Sequence, residues 1–403
     1  MITAWLASAA LAATLVVGRD APTVQAAIDA AEEGDVIVLP EGVWPGPARV
    51  DRPLTLTSDG GVLDGGGRGS VVVVTAPGAR VVGLRARDSG QDLRARDACV
   101  LVEPGAVGAV VQGNELRGCT FGIWVHSTRD VRVVDNDIEG KPDAHFSRKG
   151  NGVHLFDSTG LTVQGNRVRL ARDGVYVSAT HDSAIVGNTT SDLRYGIHYM
   201  YSFRNRIERN ESHGNITGIA LMQSADLTVA GNVVRGNERH GILFRDALRC
   251  RIEGNVVEGN GEGLFFYSSL DNDIVGNRLA HNQIGARVWA GTKRNRVQGN
   301  AFVGNREQVH YVAAADQEWG APEGGGNHWS DHLGWDQDGD GIGDRPYRVD
   351  AFQANLLHRH PSAVLLLNSP TLELLALLQA QMPVFRVPTV IDRWPLTRPE
   401  GAP

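Results

Sequence analysis

The chain has 403 residues, 42% hydrophobic and 21% charged, with a formal net charge of −7. Lys and Arg number 39 against 46 Asp and Glu, so the positive footprint that a nucleic-acid binder needs is missing and that class is set aside. Glycine is in excess (49 residues, against a usual share of about 7%), proline is ordinary at 17, and Cys99, Cys119 and Cys250 show no CxxC spacing, which excludes a zinc ribbon and a disulfide-built scaffold.

Residues 1–18 are apolar and carry no acidic or basic side chain. Such a run suits a secretory signal, a short anchor or a first buried strand. Ala7 with Ala9 and Ala10 with Ala12 offer small-residue cleavage pairs, while the missing basic n-region argues the other way. The reading taken is export to the periplasm, with residues 1–20 as a signal peptide and no membrane span in the mature chain. Thr23 then stands as N-cap of a short amphipathic helix through Ala31, placed to cover the open end of a solenoid.

Repetition organises residues 21–311. Gly122, Gly152, Gly174, Gly196, Gly218, Gly241, Gly263 and Gly285 each open a short apolar run and are 22 or 23 residues apart, except for one step of 30. Asn114, Asn136, Asn166, Asn188, Asn210, Asn232, Asn255, Asn277 and Asn300 keep the same phase. The unit is too short for a pair of helices, and its runs read as strands with Asn and Gly at the corners. The expected fold is therefore all-β: a right-handed parallel β-helix solenoid of about eleven or twelve coils, as one long domain with an N-terminal helical cap and a C-terminal extension. Asparagine amides stacked up the column would satisfy one another.

Alternation along each strand sorts its side chains. Positions one and three after the glycine are apolar, as in Ile197 and Tyr199, and are assigned to the core. Positions two and four then face out. The first outward column includes Trp124, His154, Tyr176, His198, Ala220 and Phe265, and the second His126, Phe156, Met200, Met222, Arg245, Tyr267 and Trp289. These two columns contain no Asp or Glu. Met200 and Met222 fall in equivalent places on adjacent coils, about 4.8 Å apart, with His198 two residues before Met200. Thioethers and imidazoles suit Cu(I), so Met200, Met222, His198, His154 and His126 are the copper candidates, for transient rather than stored metal. The same stripe can be read as a docking face through Tyr176, Phe265, Tyr267 and Trp289.

The 30-residue step holds about eight extra residues near Lys141–Lys149, an insert beside His126 and His154 in which His145 is a weaker ligand candidate. Residues 312–361 read as a closing region. In it Asp336, Asp338, Asp340 and Asp344 match the opening of a calcium loop, but Tyr347 stands where the bidentate Glu belongs, so either a Ca²⁺-stapled loop or a solvated tight turn fits. Residues 362–403, apolar in patches too short to span a bilayer, read as a partner-docking tail.

The repeats, the GIHYMYS segment at 196–202 and the NHWSDHLGWDQDGDGIGDRPY segment from 327 together resemble the NosD family, the periplasmic copper accessory proteins of nitrous oxide reductase maturation. That resemblance implies a non-enzymatic protein working with membrane ABC transporter subunits, a copper donor chaperone and nitrous oxide reductase. The rival reading is a carbohydrate-active β-helix enzyme, a lyase, hydrolase or epimerase. Against it, Asp157 and Asp246 are four coils apart, roughly 19 Å, too far for a hydrolytic pair.

Overall fold

In the computed structural model the placed residues are 12–349 except 143, 290, 313 and 314, then 388–399, and the single positions Leu356, Ser362, Ser369, Pro370, Leu374 and Leu378. The fold is nearly all β, a parallel β-helix of about 14 turns. It divides into two compact units, Met1–Arg172 and Asp173–Pro403, where the sequence suggested one long domain.

The first unit begins earlier than the repeat pattern showed. Thr14–Val16, inside the segment read as a signal peptide, pairs in parallel with Val36–Val38, and residues 1–11 lie outside the described set. The helix Val24–Ala30 is capped by Thr23, whose hydroxyl accepts from Ala26 N at 3.1 Å, and it buries Val24, Ala27 and Ile28. Coils then stack through Ala48–Val50, Val72–Val74, Ala98–Val102, Phe121–His126 and Val153–Phe156 on one side. A disulfide joins Cys99 to Cys119. Both cysteines are buried, and the cross-link was not legible from spacing because its 20-residue separation follows no motif.

The second unit stacks Asp173–Ser178, Tyr195–Met200, Thr217–Met222, His240–Arg245, Glu262–Tyr267, Ile284–Trp289 and Glu307–Val312 in parallel register. Its interior column runs Val177, Tyr199, Leu221, Phe244, Phe266, all fully or nearly fully buried. The asparagine ladder is continuous here. Each side-chain oxygen accepts both the backbone N–H and the amide Nδ2 of the asparagine one coil before, through Asn188, Asn210, Asn232, Asn255, Asn277, Asn300 and Asn327. A second ladder, absent from the sequence reading, runs Asn215, Asn237, Asn260, Asn282, Asn305 and ends on Gln308.

The closing region completes this unit. Phe302, Trp329 and Tyr347 stack with centroids 4.3 and 4.2 Å apart. Val390–Asp392, from the segment read as a docking tail, pairs with Gln317–Trp319 and with Tyr347–Arg348. Asp392 Oδ2 accepts from Asn327 N, Asn327 Nδ2 and Trp329 Nε1, the place the next asparagine oxygen would take. Burial pushes this carboxyl above its ordinary range while its donors pull against the shift. Most of the remaining tail, 362–387, lies outside the described residues.

Candidate metal site

Strict alternation fails at the coil-opening glycines. A Cβ on Gly174 would stand 2.3 Å from the Gly196 carbonyl oxygen and 2.9 Å from side-chain carbons of Leu193 and Thr190, so this position faces inward, as Val175 does. Two inward positions in a row shift the phase, and the residue before the glycine shares the outer face with the residue two after it. The face therefore carries a third column that the sequence reading left out: Phe121 in the first unit, and Asp173, Tyr195, Thr217, His240 and Glu262 in the second. It is not free of acid. The signal that finds Asp173 and Glu262 is the glycine itself, once its lack of room is taken into account.

Arg194 and His198 converge on Asp173, which has no solvent exposure. Arg194 donates from Nε and Nη2 to its two oxygens at 2.8 and 2.7 Å. His198 Nδ1 is 3.1 Å from Oδ2. Burial alone would raise the Asp173 pKa, but the hydrogen bonds and charges of His198 and Arg194 win and hold it below the ordinary carboxylate range. His198 is 6% exposed, flanked by the rings of Tyr195 at 4.5 Å and Tyr176 at 4.9 Å. Its other nitrogen, Nε2, is buried and makes no hydrogen bond among the described residues.

Met200 and Met222 are direct register partners on adjacent strands, both half-buried on the outer face. Ala220 is the register partner of His198 and adds no bulk beside the imidazole. Ser178 and Arg245 flank the methionine pair in the same column. The second unit thus carries Met200 and Met222 in direct register, with His198 two residues before Met200 on the same strand.

His126 and His154 belong to the first unit and have their own partners. His126 Nδ1 is 2.6 Å from Arg96 Nη1 and its ring stacks on Phe156. His154 is 7% exposed, stacked on Trp124 at 3.7 Å with Nδ1 3.0 Å from Asn151 Nδ2. His145 lies exposed on the insert with Nδ1 2.9 Å from Ser147 Oγ. Of the docking residues, Tyr267 is exposed under Arg245, while Phe265 packs on His240 at 4.8 Å, and Tyr176 and Trp289 are half-buried. Glu262 is bound by Arg287 at 2.6 Å and faces His240 Nδ1 at 3.0 Å. The largest exposed apolar groups instead include Leu333 (90%) and Trp335 (66%) in the closing region.

Asp336, Asp338 and Asp340 gather their oxygens within 4.8 Å of one another. Asp344 stays outside that group, accepting from Gln337 N. The loop is closed by its own carboxylates: Asp336 accepts from Gly339 N and Gly341 N, and Asp340 from Ile342 N.

A family model described as "Periplasmic copper-binding protein (NosD)" matches residues 134–334. A Pseudomonas aeruginosa protein named "Probable ABC transporter binding protein NosD" is 44% identical over 379 residues, covering 90% of this chain and 88% of its own. The chain belongs to the NosD family. A relative of the same name from Stutzerimonas stutzeri is 39% identical over 89% of this chain and 86% of its own. Among solved structures, a Yersinia enterocolitica family 28 exopolygalacturonase aligns with a TM-score of 0.50 at 10% identity, over 72% of this chain and 73% of that one. That likeness shows the β-helix fold alone. The family is described as one of periplasmic copper-binding proteins, and the second unit offers donor types that suit Cu(I): two thioethers on register-paired residues and an imidazole nitrogen without a partner among the described residues.

Proposed function

We propose that the protein is a non-enzymatic periplasmic accessory protein that carries Cu(I) in transit for the copper centre of nitrous oxide reductase. Copper is its cargo, taken from a donor chaperone and passed on with membrane ABC transporter subunits as partners. The name shared by both relatives supports the transporter partnership. The Cys99–Cys119 disulfide supports an oxidising compartment. Cleavage after Ala12 would remove the apolar leader and keep the paired strand Thr14–Val16. Two carboxylates of the face are engaged by arginines, Asp173 by Arg194 and Glu262 by Arg287, and Glu307 faces His310; the arginine pairing of the first two argues against acid–base work on a sugar there.

One observation carries the reading: Met200 and Met222 in direct register, two residues from a buried imidazole with an unpartnered Nε2. Soft neutral donors favour a soft monovalent ion, and a half-covered face lets it leave. Anaerobic Cu(I) titration with a competing chelator tests it. The double variant Met200→Ala/Met222→Ala should bind at least tenfold more weakly than wild type. Equal affinity would remove the site.

A further inference from the structure

The ion pair behind His198 has a use that the ligands alone do not explain. A buried carboxylate held by two hydrogen bonds from Arg194 is fixed in place, and it faces Nδ1 of His198, not Nε2. In a neutral imidazole the nitrogen that faces a carboxylate carries the proton, which leaves the lone pair on the other nitrogen. That other nitrogen is the one without a partner. A polar atom sealed from water with nothing to bond is costly unless a ligand satisfies it. Histidines that bind metals are commonly set in this way, with one nitrogen donating to a carboxylate and the other turned to the ion.

We infer that Asp173 is the positioning residue of the soft-metal site: it fixes His198 as the Nδ1–H tautomer and so leaves the Nε2 lone pair available to the ion proposed for the methionine pair. This rests on the transit reading above, but adds a residue outside the ligand set. Arg194 secures the Asp173 carboxylate, and the rings of Tyr176 and Tyr195 border the imidazole. No bond is made or broken beyond coordination, and the ion arrives and departs as a monovalent cation.

The experiment uses ¹⁵N-histidine-labelled full-length protein and Ag(I), a soft monovalent ion that does not change oxidation state. Without metal, wild-type His198 should show a protonated Nδ1 and an unprotonated Nε2, and Ag(I) should shift Nε2. Asp173→Asn should lose the tautomer preference and bind Ag(I) about 10–100-fold more weakly, the usual cost of losing an outer partner of a ligating histidine. Arg194→Gln, which loosens the Asp173 carboxylate, should weaken Ag(I) binding less than Asp173→Asn does, and unchanged far-UV circular dichroism in both variants separates positioning from a general loss of fold. Met200→Ala/Met222→Ala should weaken binding with the tautomer unchanged. An Nε2–H tautomer in wild type, or Asp173→Asn binding as tightly as wild type, overturns the inference while the transit reading stands. Wild-type protein that binds no Ag(I) or Cu(I) overturns both.

Discussion

Tyr199, between His198 and Met200 on the same strand, points the opposite way. It is fully buried in the column shared with Leu221, Phe244 and Phe266, and its hydroxyl has no partner among the described residues. Burial drives its pKa far above the ordinary phenol range, so the group stays neutral. An unsatisfied hydroxyl costs about 1–3 kcal/mol, and the same column accepts phenylalanine two coils on. Tyr199→Phe should therefore leave the fold intact and raise stability by about 1 kcal/mol, read as a higher denaturant midpoint. A lower midpoint would mean that the hydroxyl is satisfied. Cys250 has a related limit. Burial pushes its thiol up to about 11, and at 1% exposure it is closed off from the outer face that carries the methionines.

At the scale of the coil, the asparagine ladder does for the corners what strand pairing does for the strands. Asn232 shows its full bonding: Oδ1 accepts from Asn210 N and Nδ2, and Nδ2 donates to Ile207 O and Asn255 Oδ1. Asn232→Ala would strand several of these buried groups at once, at about 1–3 kcal/mol each, for a loss of about 4 kcal/mol. Val233→Ala, at a partly exposed neighbour, should cost well under 1 kcal/mol. Equal denaturant midpoints for the two variants would refute the ladder as a source of stability. The ladder was legible in the sequence because every coil repeats the same demand at the same phase. The pre-glycine column was not, since an inward glycine looks outward when strict alternation is assumed. Neither was the end of the ladder, where Asp392 stands in for an asparagine 65 residues after Asn327 and no period links the two. The methionine pair was legible for the same reason as the ladder, whereas the acid behind His198 depended on the phase slip at Gly174.

On the scale of the whole molecule, part of the segment read as a docking tail belongs to the fold, and docking is a question for the stretch before it. Val349 N donates to Val390 O, and Tyr347–Arg348 runs antiparallel to Val390–Asp392, so the chain leaves and rejoins the second unit at adjacent points. The strand at 390–392 and its carboxylate seal the asparagine ladder and belong to the fold. Leu374 and Leu378, four residues apart and both helical, stand 58% and 38% exposed within the intervening stretch. Both are apolar side chains left open to solvent, the kind of surface that a partner protein can cover. Deleting 362–403 would confuse the two roles by removing Asp392 as well. Replacing residues 353–386 with a short Gly/Ser linker keeps both ends, because adjacent ends need little length to join. The variant should keep the wild-type far-UV circular dichroism and its denaturant midpoint within about 1 kcal/mol, bind Cu(I) as wild type does, and lose co-purification with the membrane ABC transporter. Retained co-purification would place the docking surface elsewhere, with Leu333 and Trp335 the next residues to alter. A collapse of stability would instead assign the excursion to the fold, alongside the strand at 390–392.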